Sequence, residues 1–274
     1  MVKDVLKNPL FEALRRVNHK AEDDIYVWSQ GMAFHYKNLL EGLKGVPAEK
    51  REKILRDIWK EVAKYAPKKI VEALGLDREA DLASVEKFMD AMMVDKEFKW
   101  IKGVGDTVEE AMLNWVRAFA IFDYAIYVYL ERHLGSKECF RIYMDLWEKF
   151  ALSSLDHVKK SLGITDKTEI NMDLIGKISR MYWESIGCPY KVLEHTSDRH
   201  VADVEICPYW ENMKEVLGLE KARAMTCKCE AAVSVNYYDA ILKALGVFDK
   251  YSFTMEKWMC CGDEVCRVRF ERRK

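Results

Sequence analysis

The most apolar part of the sequence lies within residues 107–135, TVEEAMLNWVRAFAIFDYAIYVYLERHLG. Thr107 followed by Glu110 is the pattern of a capping box, which predicts that a helix begins here. Aromatic and branched side chains occur on every side of this helix, so we expect it to be the buried central helix of a bundle. Arg117 and Asp123 interrupt the apolar run, which therefore falls short of a membrane span.

The segments around this helix also show helical periodicity. From Pro9 to about Gly187, apolar residues recur at three- and four-residue spacing, and Gly or Pro marks the segment ends. These segments lack the Glu-x-x-His pairs of a di-metal carboxylate bundle, so we expect His35 and Asp123 to be structural. The sequence thus predicts an N-terminal helical domain, residues 1–165.

After Gly187 the pattern changes to short alternating segments. Residues 190–209, YKVLEHTSDRHVADVEICPY, predict two strands around a Thr-Ser-Asp-Arg turn, and residues 251–270, YSFTMEKWMCCGDEVCRVRF, predict a second hairpin. Two helices are expected between the hairpins, the second at residues 230–245. This order is typical of an α+β domain, residues 166–274, with an antiparallel sheet of four strands and helices on one face.

Composition limits the partners. The 44 Lys and Arg residues nearly balance the 45 Asp and Glu residues, so no global field favours nucleic acid or a membrane. The first residues, MVKDVLKNPLFEALRR, lack the apolar core of a secretion signal, and we expect a cytoplasmic protein. Gln30 is the only glutamine among abundant Lys and Glu, which favours a thermophilic origin. A small-molecule ligand is the expected partner, and a homodimer is the oligomeric state to test.

Seven of the eight cysteines lie in residues 188–266. Period-two alternation in the last hairpin predicts that Cys261 and Cys266 point inward and that Cys260 points away. A helix beginning near residue 230 would place the Cys-x-Cys pair of Cys227 and Cys229 at its N-terminus, which favours thiolates.

Three interpretations of these thiols stay open. A zinc ion or an iron–sulfur cluster would use four thiols, with Glu230 or Glu256 as an oxygen ligand. A redox or disulfide set is the second interpretation, and buried cysteines acting as small hydrophobes are the third. The predicted metal ligands are Cys207, Cys227, Cys229, Cys261 and Cys266.

Residues 207–231, CPYWENMKEVLGLEKARAMTCKCEA, and residues 253–271, FTMEKWMCCGDEVCRVRFE, together resemble a known family. In the L-2-amino-thiazoline-4-carboxylic acid hydrolase-like family, a strand-ending cysteine precedes an aromatic helix, a Gly-Leu step leads to a second cysteine, and Gly-Asp precedes a third. The resemblance covers roughly residues 173–270 and implies a hydrolase that acts on a C–N bond of a small molecule. The matching residues are Cys207, Gly218, Leu219, Cys227 or Cys229, Gly262, Asp263 and Cys266.

A more distant similarity is to vinyl-reductase-type small-molecule sensor domains, in which a glutamate and several cysteines around this hairpin hold zinc. It implies Glu256, Cys207, Cys261 and Cys266 as counterparts. The alternative function is therefore a ligand or redox sensor with a structural zinc or iron–sulfur site. The chain has no basic recognition helix of the kind that reads DNA.

Ring opening by a thiazoline hydrolase needs a general acid and a base, or a metal-bound water. His195, His200 and Asp203, with Asp198 in the turn, are the catalytic candidates, although solvated polar residues beside a turn explain them better. For a binding module, we predict a ligand pocket between the sheet and the helix at residues 230–245. Its candidate lining residues are Trp183, Tyr209, Trp210, Tyr237 and Tyr238, a set that is also common in cores.

Overall fold

A computed structural model describes residues 5–76, 81–94 and 99–274, without the side chains of residues 99, 100, 230 and 231. The chain has an α+β fold, as predicted. The helices are α1 (Pro9–Arg16), α2 (Ala21–Gly42), α3 (Ala48–Tyr65), α4 (Lys68–Ala73), α5 (Leu82–Val94), α6 (Lys99–Lys102), α7 (Val108–Leu134), α8 (Ser136–Ser153), α9 (Leu155–Ser161), α10 (Met172–Ser185), α11 (Pro208–Leu217) and α12 (Leu219–Ala244). The strands are β1 (Tyr190–His195), β2 (Arg199–Val204), β3 (Tyr251–Lys257) and β4 (Cys266–Arg272).

The two predicted hairpins are confirmed and lie side by side in one antiparallel sheet. The strand order is β1-β2-β4-β3, so β2 and β4 are the inner strands. Their register runs without interruption from Arg199 opposite Glu271 to Val204 opposite Cys266. The two outer strands differ, because the register shifts between Val192 and Glu194 in β1 and between Met255 and Lys257 in β3.

The helix α7 is buried along most of its length and contacts α2, α3, α8 and α11. Its first turn is capped as expected, since the Thr107 hydroxyl accepts a hydrogen bond from the Glu110 backbone N–H. The central position predicted for this segment is confirmed. Nowhere in the described ranges does a helix combine the length and apolarity needed to cross a membrane.

The buried core runs without a break across residue 165, the predicted domain boundary. Tyr182 on α10 donates a hydrogen bond to the Ala151 carbonyl on α8 at 2.7 Å, and Asn236 on α12 donates one to the Met144 carbonyl at 3.3 Å. Helix α12 also packs against β3 on its other side. The long helix α12 therefore connects the sheet to the N-terminal helices.

The predicted start of the last helix at residue 230 is wrong. Helix α12 begins at Leu219, directly after Gly218, and Cys227 and Cys229 lie in its interior. The intervening residues EKARAM are mostly good helix formers, and neither Gly nor Pro interrupts them. The positive end of a helix therefore does not lie beside these two thiols.

Candidate functional site

A cavity of about 110 Å³ lies between α12 and the N-terminal helices. It is similar in size to the engineered apolar cavity of about 150 Å³ that binds benzene. Of the five predicted lining residues, Trp183, Tyr209, Tyr237 and Tyr238 line it. The N-terminal helices contribute Trp28, Phe119, Trp147 and Phe150, and α10 contributes Tyr182.

The predicted position of this pocket, between the sheet and the last helix, is wrong. Three rings fill that space, because Tyr238 stacks on Phe253 at a centroid distance of 4.3 Å and meets Phe270 at 5.3 Å. The cavity is lined by residues of α2, α7 and α8 instead. Trp210 is not part of its wall and lines a surface groove with Arg223.

A buried carboxylate lies beside the cavity. Asp123 on α7 accepts hydrogen bonds at Oδ2 from Tyr143, at 2.6 Å, and from the cavity residue Tyr209. Its Oδ1 has no partner among the residues that the structure describes. Burial raises the pKa of Asp123 to about 6, although the two tyrosines and the nearby Trp147 favour the ionised form. The sequence signal was a lone acid in a helix that is apolar on all sides.

A buried histidine lies on the same side of the cavity. His35 contacts the cavity rings of Phe119, Trp147 and Phe150 at centroid distances of 4.9–5.0 Å. Desolvation lowers the pKa of His35 to about 4, so the imidazole is neutral at pH 7. Its Nδ1 lies 3.0 Å from the Gly31 carbonyl, which assigns the proton to Nδ1 and makes Nε2 an acceptor. Within the described part of the chain, Nε2 has no hydrogen-bond partner.

Two of the catalytic candidates form a hydrogen-bonded chain on the sheet. Nδ1 of His195 lies 2.9 Å from Nδ1 of the buried His200, whose Nε2 lies 2.8 Å from the Tyr190 hydroxyl. Tyr190 donates to Ser179, so His200 donates to Tyr190 and accepts from His195. Burial, with a smaller contribution from His195, lowers the pKa of His200 to about 4.

The third candidate, Asp203, forms a bidentate ion pair with Arg267 at 2.7 and 2.9 Å, between paired positions of β2 and β4. Asp198 in the turn lies 3.4 Å from Arg272. The cavity wall includes none of His195, His200 and Asp203. Their catalytic role stays a prediction.

Replacing Gly176 by alanine should disturb the histidine chain. A Cβ atom at Gly176 on α10 would lie 2.9 Å from both Cε1 and Nδ1 of His200. Because His195 and Tyr190 hold this ring from two sides, we expect Gly176→Ala to lower the free energy of unfolding by about 2 kcal/mol, despite alanine's higher helix propensity. Chemical denaturation measures this loss.

Gly31→Ala on α2 is the matched control, since its Cβ would meet Phe119 at an ordinary 3.5 Å. This variant should be as stable as the wild type or more stable. Equal stability of Gly176→Ala and the wild type would show that the imidazole moves freely.

The structure does not bring the five predicted metal ligands together as one group. Cys207 and Cys266 both lie near the buried Cys188. Cys227 lies near Cys261, while Cys229 is buried in α12 with Sγ 3.4 Å from the Met225 carbonyl. All eight cysteines are within the described residues, and no disulfide joins any two of them.

The predicted orientation of the hairpin thiols is wrong for one pair. Cys260 is buried and Cys261 is exposed. Residues Met259–Cys261 form a turn of 3₁₀ helix, which ends the strand alternation on which the prediction depended. The helix-terminus argument for Cys227 and Cys229 is also overturned, because both lie inside α12.

Among the side chains that the structure describes, no group of three or more His, Cys, Asp or Glu has the arrangement of a metal site. Glu256 pairs with Arg269 at 2.7 Å. The side chain of Glu230 lies outside the described residues. Zinc or iron–sulfur binding stays a prediction.

The cavity, the buried Asp123 and the paired thiols are the features on which a function can be argued. No family model, curated protein or solved structure matches the chain.

Proposed function

We propose that this chain binds a small, mainly apolar ring compound in the cavity beside α12. The observation that carries the proposal is the wall, where aromatic rings from both halves of the chain surround about 110 Å³. A concave, apolar space with a few polar groups is the usual form of a small-molecule site. Burial of a ring compound in such a space is favourable because it removes apolar surface from water.

Three hydrogen-bond donors in this wall indicate the polarity of the ligand. The indole nitrogens of Trp28, Trp147 and Trp183 have no hydrogen-bond partner in the described ranges. A buried donor without a partner costs about 1–3 kcal/mol. A ring compound with an acceptor atom, such as a ring nitrogen or a carbonyl, would offset this cost.

Isothermal titration calorimetry tests the proposal with toluene, which is apolar, and with acetophenone, whose carbonyl is an acceptor. We expect both to bind, and we expect Val233→Phe to weaken binding at least about 10-fold, or 1.4 kcal/mol, because the larger ring fills the cavity. Val233 lies in the wall and is buried. The matched control is Val192→Phe on β1, where the side chain is 45% exposed.

The control should bind both probes as the wild type does, and circular dichroism should show both variants folded. Absence of binding by the wild type up to about 1 mM, a free energy of roughly −4 kcal/mol, would contradict the proposal. So would equal binding by folded Val233→Phe.

Hydrolysis of a C–N bond is a second candidate function. Cys207, one of the residues that carry the resemblance to thiazoline hydrolases, lies in the cavity wall. Incubation with L-2-amino-thiazoline-4-carboxylic acid, with zinc and iron measured in protein purified without oxygen, tests this function. An unchanged substrate would contradict it.

A further inference from the structure

Two exposed thiols meet at a surface away from the cavity. Cys227 on α12 and Cys261 in the 3₁₀ turn before β4 are both exposed. The Cys227 thiol donates a hydrogen bond to the Cys260 carbonyl at 3.2 Å, which places it beside the next residue, Cys261. Neighbouring thiols that are open to solvent can oxidise to a disulfide.

A cation lies beside this pair. Arg223 is one helical turn before Cys227, and its Nη2 would lie 3.3 Å from a Cβ atom at Gly262, next to Cys261. Its positive charge favours the Cys227 thiolate, whereas desolvation raises the pKa of that thiol to about 11. We therefore assign the first attack to Cys261 and the resolving step to Cys227.

A third thiol, that of Cys260, lies close to Cys261, but its position does not favour a disulfide with Cys261. Sγ of Cys260 lies 4.0 Å from Sγ of Cys261, and Cys260 is only 5% exposed. The Cα atoms of neighbouring residues are about 3.8 Å apart, below the range of about 4.4–6.8 Å in which disulfides usually form. The Cys227–Cys261 bond is therefore the favoured product.

We propose that Cys227 and Cys261 are an oxidative modification site, at which hydrogen peroxide converts the two thiols to an intramolecular disulfide. The Cys261 thiolate attacks one peroxide oxygen, the O–O bond breaks, and Cys261 becomes a sulfenic acid as the first water leaves. The Cys227 sulfur then attacks the sulfenic sulfur, the S–O bond breaks, and the second water leaves. One hydrogen peroxide and two thiols thus give one disulfide and two waters.

The disulfide would join α12 covalently to the turn between β3 and β4. Since α12 carries the cavity residues Val233 and Tyr237, the bond would restrict the helix that forms one wall of the cavity. This consequence does not depend on which ligand the cavity binds.

The test treats the reduced full-length protein with one equivalent of hydrogen peroxide. We expect the intact mass to fall by two hydrogen atoms, a digest to contain a peptide pair joined through Cys227 and Cys261, and dithiothreitol to reverse both changes. Thermal unfolding should move to a higher temperature, because the cross-link closes a loop of the unfolded chain. Cys139→Ser, at a buried site on α8, should react as the wild type does.

The variants separate this site from the alternatives. Cys227→Ser should stop disulfide formation and leave Cys261 as a sulfenic acid, and Arg223→Gln should slow disulfide formation several-fold by removing the nearby cation. A joined Cys260–Cys261 peptide, a disulfide that persists in Cys227→Ser, or two unmodified thiols after treatment would each overturn the proposal.

Discussion

Gly105→Ala is expected to destabilise the protein by roughly 3 kcal/mol or more. A Cβ atom at Gly105 would lie 2.2 Å from the backbone nitrogen of Ala111 and 2.7 Å from its Cα, in the first turn of α7. Backbone atoms cannot rotate away as a side chain can, so either the loop or the helix start must move.

The loop cannot move without breaking other contacts. Trp115 on α7 donates a hydrogen bond from its indole to the Ile101 carbonyl at 3.0 Å, and Asn114 donates one to the Val104 carbonyl at 2.7 Å. Both donors are buried, so separating the loop from α7 leaves buried polar groups without partners.

Urea denaturation followed by circular dichroism measures the change. Gly45→Ala is the matched control, because a Cβ atom at this exposed loop position meets nothing within 4 Å. The control should unfold at the urea concentration of the wild type. A Gly105→Ala protein within about 1 kcal/mol of the wild type would show that the loop and α7 separate at little cost.

Asp123→Asn is expected to change how stability depends on pH. The carboxyl pKa is raised from 3.8 to about 6 by burial, so the unfolded chain releases this proton at lower pH than the folded protein. The protonated Asp123 carboxyl therefore stabilises the folded state. This contribution to the free energy of unfolding is fully present below pH 3.8 and is lost as the pH rises through 6. The amide does not titrate, so from about pH 4 to about pH 8 the wild type should lose roughly 2–3 kcal/mol relative to Asp123→Asn.

Chemical denaturation at several pH values gives the free energy of unfolding of both proteins. The other titrating groups are the same in both, so their contributions cancel in the difference. Asp166→Asn, at an exposed turn position, is the control, and its stability relative to the wild type should vary by less than about 0.5 kcal/mol over the same range. A constant difference between the wild type and Asp123→Asn would mean that Asp123 titrates alike in the folded and unfolded states.

The sequence predicted the elements that local patterns determine. The two hairpins and the all-round apolar character of α7 are predicted from neighbouring residues alone, and both predictions are confirmed. The predicted start of α12 near residue 230 is wrong, because no residue among Cys227, Lys228 and Cys229 stops a helix.

The site depended on long-range packing and was predicted only in part. Tyr237 and Tyr238 were chosen because they are aromatic residues on one helix, and they do line the cavity. The opposite wall comes from residues far away in the sequence, including Trp28 and Phe119, which no local pattern connects to α12. The 3₁₀ turn that exchanges the positions of Cys260 and Cys261 is likewise set by tertiary contacts.

The register shifts in the outer strands affect the tendency of the protein to aggregate at high concentration. A sheet edge offers unpaired N–H and C=O groups on which a strand of another molecule can add. Both edges of this sheet carry a bulge, at Val192–Glu194 and at Met255–Lys257, whereas the shielded inner pair has none. A bulge increases local twist and interrupts the ladder, so each edge is a poor template for strand addition. Val192 and Leu193 are exposed on an edge strand. Because of the bulge, this strand pairs less readily with a strand of another molecule, and aggregation through it is less favourable.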